Sequence, residues 1–162
     1  MSRPTWRLLV SHPAHLLSLG LGSGLSPRAP GTVGSLLAWV IYMLIRPPFS
    51  DIGFGLFLLA SFVAGCLFVP ITGRALGVVD HGGIVWDEFV AMWLVLWLAP
   101  VGFWWQVLCF VLFRVFDILK PWPINIADKR FKNGFGVMFD DLLAAGYALL
   151  GIAIAWKTSV SF

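Results

Sequence analysis

Five apolar stretches divide the chain, at 33–45, 52–71, 84–99, 101–119 and 137–156, with short segments rich in glycine, proline and charge between them. No stretch alternates with the period of a strand, so all five read as helices. A helix crossing a bilayer core needs about 20 apolar residues, with about 17 as a lower limit. The second, fourth and fifth stretches meet that length. The third is slightly short and is expected to continue past Pro100. The first is clearly short, so it either spans or re-enters. The pattern predicts an all-α integral membrane protein: a compact bundle of four to five transmembrane helices forming a single membrane domain over 1–162.

Residues 1–20 carry Arg3 and Arg7, and their apolar positions are interrupted by Ser11, His12, Pro13 and His15. That interruption is unlike the core of a signal peptide and predicts an amphipathic segment on the membrane surface, with His12 and His15 as interfacial polar groups. The following stretch, 20–35, is rich in Gly, Ser and Pro and opens into the first apolar element. It is not expected to be a regular helix, and irregular backbone at membrane depth must be buried in protein or line a watery cavity. One reading is a flexible interfacial turn. The other is a phosphate cradle made of backbone N–H groups of 31–35, with Arg28, Thr32 and Ser35 as side-chain donors, although the spacing is not that of a P-loop. Pro121 and Pro123 stop the fourth helix, leaving Asp117 and Lys120 in its last turn. Gly134 and Gly136 are expected to turn the chain before the last helix.

Composition sharpens the picture because charge is scarce. The chain is 59% hydrophobic with eight acidic residues, and its mean hydropathy is +0.89. Asp87, Glu88, Asp117, Asp140 and Asp141 interrupt or border the apolar stretches. A carboxylate at membrane depth costs several kcal/mol on insertion scales, so it faces a protein interior or a watery cavity. If the helices cross alternately, all three acidic clusters fall on one membrane face. Helix-dipole stabilisation would account for acids in a first helical turn, but Asp117 sits at a C-terminus, where the dipole opposes it. Arg114 and Lys120, three residues to either side, offer Asp117 an ion pair. Three readings stay open: a divalent-metal site, of the all-oxygen kind that Mg²⁺ prefers; a structural ion-pair network; and a proton or cation pathway. Within Asp87–Glu88 and Asp140–Asp141, neighbours point about 100° apart, so one of each pair is expected to bind metal and the other to orient a ligand, a water or Lys120. His81 is either a solvated loop residue or serves the site as a general acid or from its outer shell, near the bound phosphate.

Cys66 and Cys109 lie inside apolar stretches and read as packing residues. Trp39, Trp86, Trp104, Trp105, Trp122 and Trp156 fall near stretch ends, as interfacial tryptophans do. With the N-terminus cytoplasmic, eight cations (Arg3, Arg7, Arg28, Arg74, Lys120, Lys129, Arg130 and Lys132) lie on the cytoplasmic side, against Arg46 and Lys157 on the other. The positive-inside rule therefore places the acidic face in the cytoplasm. A net charge of +3 suits anionic lipid headgroups and gives no reason to expect nucleic acid. The oligomeric state stays open.

The segments Gly22-Ser-Gly-Leu-Ser-Pro27, Pro30-Gly-Thr-Val-Gly-Ser35, Ile84-Val-Trp-Asp-Glu-Phe89, Phe113-Arg-Val-Phe-Asp-Ile-Leu-Lys-Pro-Trp-Pro-Ile124 and Gly136-Val-Met-Phe-Asp-Asp141 occur in order across 20–146. Together they resemble the bacterial phosphatidylglycerophosphatase A family. The resemblance implies a lipid phosphatase bundle over 20–156 in the bacterial inner membrane, with its site facing the cytoplasm. It further implies Mg²⁺-dependent hydrolysis of a phospholipid substrate, phosphatidylglycerophosphate, to phosphatidylglycerol and inorganic phosphate. On that reading Asp87, Glu88, Asp117, Asp140 and Asp141 hold one or two Mg²⁺, while Lys120, Arg114 and the 31–35 loop neutralise charge on the phosphoryl group. The absence of a cysteine phosphate loop, an Asp-x-Asp strand end and a histidine pair leaves metal-activated water as the nucleophile. The rivals are a phosphatase of another lipid phosphate and a small cation transporter. The transporter is disfavoured because the middles of the stretches are apolar.

Overall fold

A computed structural model describes residues 3–130 and 133–160, apart from the side chains of 127–129, and every regular element among them is helical. Two short helices, α1 (Trp6–Ser11) and α2 (Pro13–Ser18), lead into a 3-10 segment, Gly20–Leu25. Then come α3 (Pro30–Ile45), α4 (Asp51–Leu76), α5 (Trp86–Leu98), α6 (Phe103–Leu119), α7 (Ile124–Arg130) and α8 (Gly134–Val160). The five apolar stretches thus become α3, α4, α5, α6 and α8. Two of them, α4 and α8, are long and apolar enough to cross a membrane. With 16, 13 and 17 residues, α3, α5 and α6 are shorter. Lys132, counted above among the cytoplasmic cations, lies outside the described residues, as does the side chain of Lys129.

The third helix does not run past Pro100. It ends at Leu98, Ala99 takes an extended conformation, and α6 starts anew after Gly102. Proline cannot donate to the helical ladder and disfavours helical geometry in the residue before it. The result is a short α5 packed against α3, α4, α6 and α8. Every residue from Trp86 to Trp93 is buried, so this helix is the axis of the bundle. Its tryptophans behave accordingly. Trp86 donates to the Ser61 carbonyl at 3.0 Å and Trp93 to that of Ala38 at 2.8 Å. Trp86 is therefore a core residue and not the interfacial one expected, whereas Trp104 and Trp122 are exposed at helix ends.

The last helix also begins differently. Asn133 caps α8, its side-chain oxygen accepting from Gly136 N–H at 2.9 Å, so Gly134 and Gly136 lie in the helix instead of turning the chain. Gly134 is needed for close approach. Pro70 inside α4 removes the donor that would serve the Cys66 carbonyl, and a Cβ on Gly134 would collide with that oxygen and the Pro70 ring. One consequence concerns charge. Asp140 and Asp141 stand nearly two turns into α8, beyond the first turn where the helix dipole acts, so dipole stabilisation does not explain them.

Within residues 3–25, Leu9, Ala14, His15, Ser18 and Leu19 are buried against the bundle, while Trp6 and Val10 stay exposed. His15 is buried, its Nδ1 2.9 Å from the Thr72 hydroxyl on α4. Burial first, and His12 second, hold it below the usual histidine range. Val85 N–H donates to the Ser18 carbonyl at 2.9 Å, tying the end of α2 to the start of α5. As expected, the 20–35 stretch is not one regular helix: Gly20, Leu21 and Gly22 take positive φ (54°, 54° and 103°), 26–29 are irregular with Ala29 at φ 46°, and α3 begins only at Pro30.

Candidate metal centre

The first turn of α5 and the second turn of α8 face one another inside the bundle. They bring together Asp87, Glu88 and Asp141, each offering a carboxylate oxygen within 4.8 Å of the other two. All three residues are buried, Asp141 with only 3% of its surface exposed. Asp87 Oδ1, Glu88 Oε2 and Asp141 Oδ2 are buried with no hydrogen-bond partner among the described residues. An unpaired buried carboxylate oxygen costs free energy that a proton, a cation or a hydrogen-bond donor recovers. The three form a possible metal-binding cluster, and an all-oxygen donor set suits a hard divalent ion.

The other two acids sit around this cluster with cations attached. Asp117, in the last turn of α6, forms an ion pair with Arg114 Nη1 at 2.9 Å and lies close to Asp141. Asp140 pairs with Lys120. At α8 the adjacent acids point to different partners: Asp141 turns into the cluster, and Asp140, about 100° around the helix, pairs with the lysine. Lys120 reaches it from the helix end, where the backbone turns left-handed at φ 41°. Asp87 and Glu88, by contrast, both join the cluster.

Arg114 links the carboxylates to α3. Its Nη1 is 3.7 Å from Glu88 Oε1 and donates to Ser35 Oγ at 3.2 Å. Its Nε–H is buried and has no partner among the described residues, leaving one strong donor uncommitted. Ser35 spends its own proton on the Gly31 carbonyl at 2.9 Å, so its lone pair steadies the guanidinium. Gly31 explains how α3 comes so close: a Cβ there would strike Glu88 Oε1 and lie 3.0 Å from Arg114 Nη2. The sequence marked this residue only as a backbone donor; its closeness to Glu88 becomes visible once α5 is placed. Thr32 lies half-buried on the same turn, at the N-terminus of a helix that no side chain caps. Arg28 is exposed, with no ion pair to the acids among the described residues, and His81 accepts from Gly83 N–H at 3.0 Å in its own turn. Neither is brought to the carboxylates.

A cavity of about 490 Å³ lies at the opposite end of the bundle between Leu98, Val101, Ile152 and Trp156, with an apolar lining that offers no chemistry. An apolar groove of about 370 Å³ follows α6 past Val111, Val115 and Ile118 and touches Arg114.

A family described as Phosphatidylglycerophosphatase A matches residues 16–156 of the chain. A Haemophilus influenzae protein named phosphatidylglycerophosphatase A is 44% identical over 150 residues, covering 92% of each chain. An Escherichia coli K12 protein of the same name is 43% identical over 142 residues, covering 85% of this chain and 80% of its own. A Bacteroides thetaiotaomicron protein provisionally named a phosphatidylinositol-3-phosphatase is 38% identical over 149 residues, covering 86% of this chain and 91% of its own. No solved structure matches.

Proposed function

The chain belongs to the phosphatidylglycerophosphatase A family, and from that premise we propose that it hydrolyses phosphatidylglycerophosphate to phosphatidylglycerol and inorganic phosphate with Mg²⁺ at Asp87, Glu88 and Asp141. The observation that carries this reading is the convergence of three unpaired buried carboxylate oxygens beside an unpaired buried arginine N–H. Among the described residues, the five carboxyl groups of the site are paired with two cations, Arg114 and Lys120. A phosphate monoester brings roughly −1.5 to −2 charges of its own near neutral pH, so it enters only if further positive charge is present. Bound Mg²⁺ supplies that charge and lowers the pKa of a coordinated water.

The protein's own groups supply position and polarity. Arg114 offers Nε–H to a phosphoryl oxygen, held in place by Asp117 and Ser35. Lys120, tethered to Asp140, adds a point charge at the mouth of the site. Thr32 and the uncapped first turn of α3 offer further donors. Burial keeps these interactions strong, because the effective dielectric is low. Chelation with excess EDTA is expected to abolish phosphate release from phosphatidylglycerophosphate in mixed micelles, and added Mg²⁺ to restore it. Turnover that persists in EDTA would remove the metal from the mechanism.

The name of the third relative favours a second reading, a phosphatase of another lipid phosphate. Competition between phosphatidylglycerophosphate, phosphatidic acid, a polyprenyl phosphate and phosphatidylinositol 3-phosphate separates the two by kcat/KM.

The same proposal places the chain in the bacterial inner membrane with the carboxylates on the cytoplasmic side. Support comes from the length and apolarity of α4 and α8 and from the row Leu56, Leu59, Val63 and Leu67 exposed along α4, which water would penalise. The groove on α6 gives an acyl chain a route along the helix surface to Arg114. Arg130 is exposed at the end of α7 and suits a reporter cysteine. Arg130→Cys is expected to resist an impermeant thiol reagent in intact spheroplasts and to react after lysis. Labelling from outside would invert the orientation.

A further inference from the structure

A further cavity, about 300 Å³, opens between the N-terminal segment and the loop that leads into α5. Its lining includes Arg3, Ser26, Pro30, His81 and Gly83. Two of these walls run directly into the site. Pro30 precedes Gly31, which abuts Glu88 and Arg114, and Gly83 stands four residues before Asp87. The cavity is shaped by tight backbone packing: a Cβ on Gly24 would collide with the Gly83 carbonyl, and one on Gly83 would sit 2.9 Å from the Gly24 carbonyl and from the Pro4 ring.

Its polar groups select an anion. Arg3 has no ion-pair partner among the described residues, and its guanidinium is a fork of donors suited to phosphate. His81 is oriented by its own loop. Its Nδ1 accepts from Gly83 N–H at 3.0 Å, which puts the ring proton of the neutral tautomer on Nε2 and makes that atom a donor. Among the described residues, no acidic side chain lines the cavity.

We propose that this cavity is a second phosphate subsite, in which Arg3 and His81 Nε2–H bind the internal phosphodiester of the lipid while the terminal monoester lies at the carboxylate cluster. The assignment rests on the function proposed above and adds what distinguishes this substrate from other lipid phosphates. Phosphatidylglycerophosphate carries a diester one glycerol away from its monoester, whereas phosphatidic acid has a monoester alone. Arg3 and His81 are therefore specificity residues.

Two variants and a soluble probe test this. Arg3→Gln removes the charge from an exposed position. His81→Asn keeps an acceptor for Gly83 N–H and removes the Nε2–H donor. The ratio of kcat/KM for phosphatidylglycerophosphate over phosphatidic acid is expected to fall about tenfold in Arg3→Gln and severalfold in His81→Asn, in line with the worth of charge-assisted and neutral hydrogen bonds. Independently of turnover, glycerophosphoglycerol, which has the diester and no monoester, is titrated against the full-length protein by ³¹P NMR. It is expected to bind wild type and to bind Arg3→Gln about tenfold more weakly. An unchanged substrate ratio, equal binding by both proteins, or no binding to wild type overturns the subsite. If glycerophosphoglycerol binds as expected while phosphatidylglycerophosphate is not hydrolysed, the subsite stands and the function proposed above is what fails.

Discussion

Asp87→Asn is expected to lower turnover by at least about 100-fold, the scale on which loss of a central electrostatic group acts, without lowering the melting temperature of the metal-free protein. The asymmetry comes from the placement of the residue. Asp87 is buried beside Glu88 and Asp141, with an oxygen that no described group satisfies, so the amide relieves crowding of like charge while preserving shape. A residue kept for stability would behave in the opposite way. The second readout is metal linkage. An ion that binds only the folded state stabilises by about 2.7 kcal/mol at 100 times its Kd, so wild type is expected to melt higher in Mg²⁺ and Asp87→Asn to lose most of that rise. A variant that keeps the full Mg²⁺ shift, or whose inactivity tracks a lower melting temperature, would move Asp87 from the metal to the scaffold.

Gly31→Ala is expected to fold and yet lose at least about 100-fold in kcat/KM. The added methyl collides with Glu88 Oε1, the far end of a flexible side chain, and crowds Arg114 Nη2. For the fold that is a small demand, because a carboxylate can swing aside and alanine favours the helix by about 1 kcal/mol over glycine. For the chemistry it is a large one, since a displacement of about 1 Å at a reacting centre can cost on the order of 100-fold. Gly24→Ala is the matched contrast: its methyl meets the Gly83 carbonyl, rigid backbone that cannot swing away, so destabilisation is expected there. Circular dichroism and melting curves beside turnover separate the two. Near-normal activity in Gly31→Ala would show that Glu88 does not need its observed position.

The sequence by itself determined where the long helices run, because runs of apolar residues ending at Pro, Gly or Ser leave few other structures. It also singled out the five carboxylates, because charge in so apolar a chain is costly unless something requires it. Which carboxylates meet was a tertiary decision. Asp140 and Asp141 are neighbours in sequence but point about 100° apart, and only the rotation of α8 against α5 and α6 sends Asp141 to Glu88 and leaves Asp140 to Lys120. The role of α5 was hidden for a related reason. A helix surrounded by lipid and one surrounded by other helices have the same hydropathy, so its thirteen residues read as a short span although they form the buried axis. The docking of the N-terminal segment through His15, Ser18 and Gly24 was equally invisible. Single polar and glycine residues carry no periodicity, and their partners lie about 60 residues away along the chain, at distances that only packing reveals.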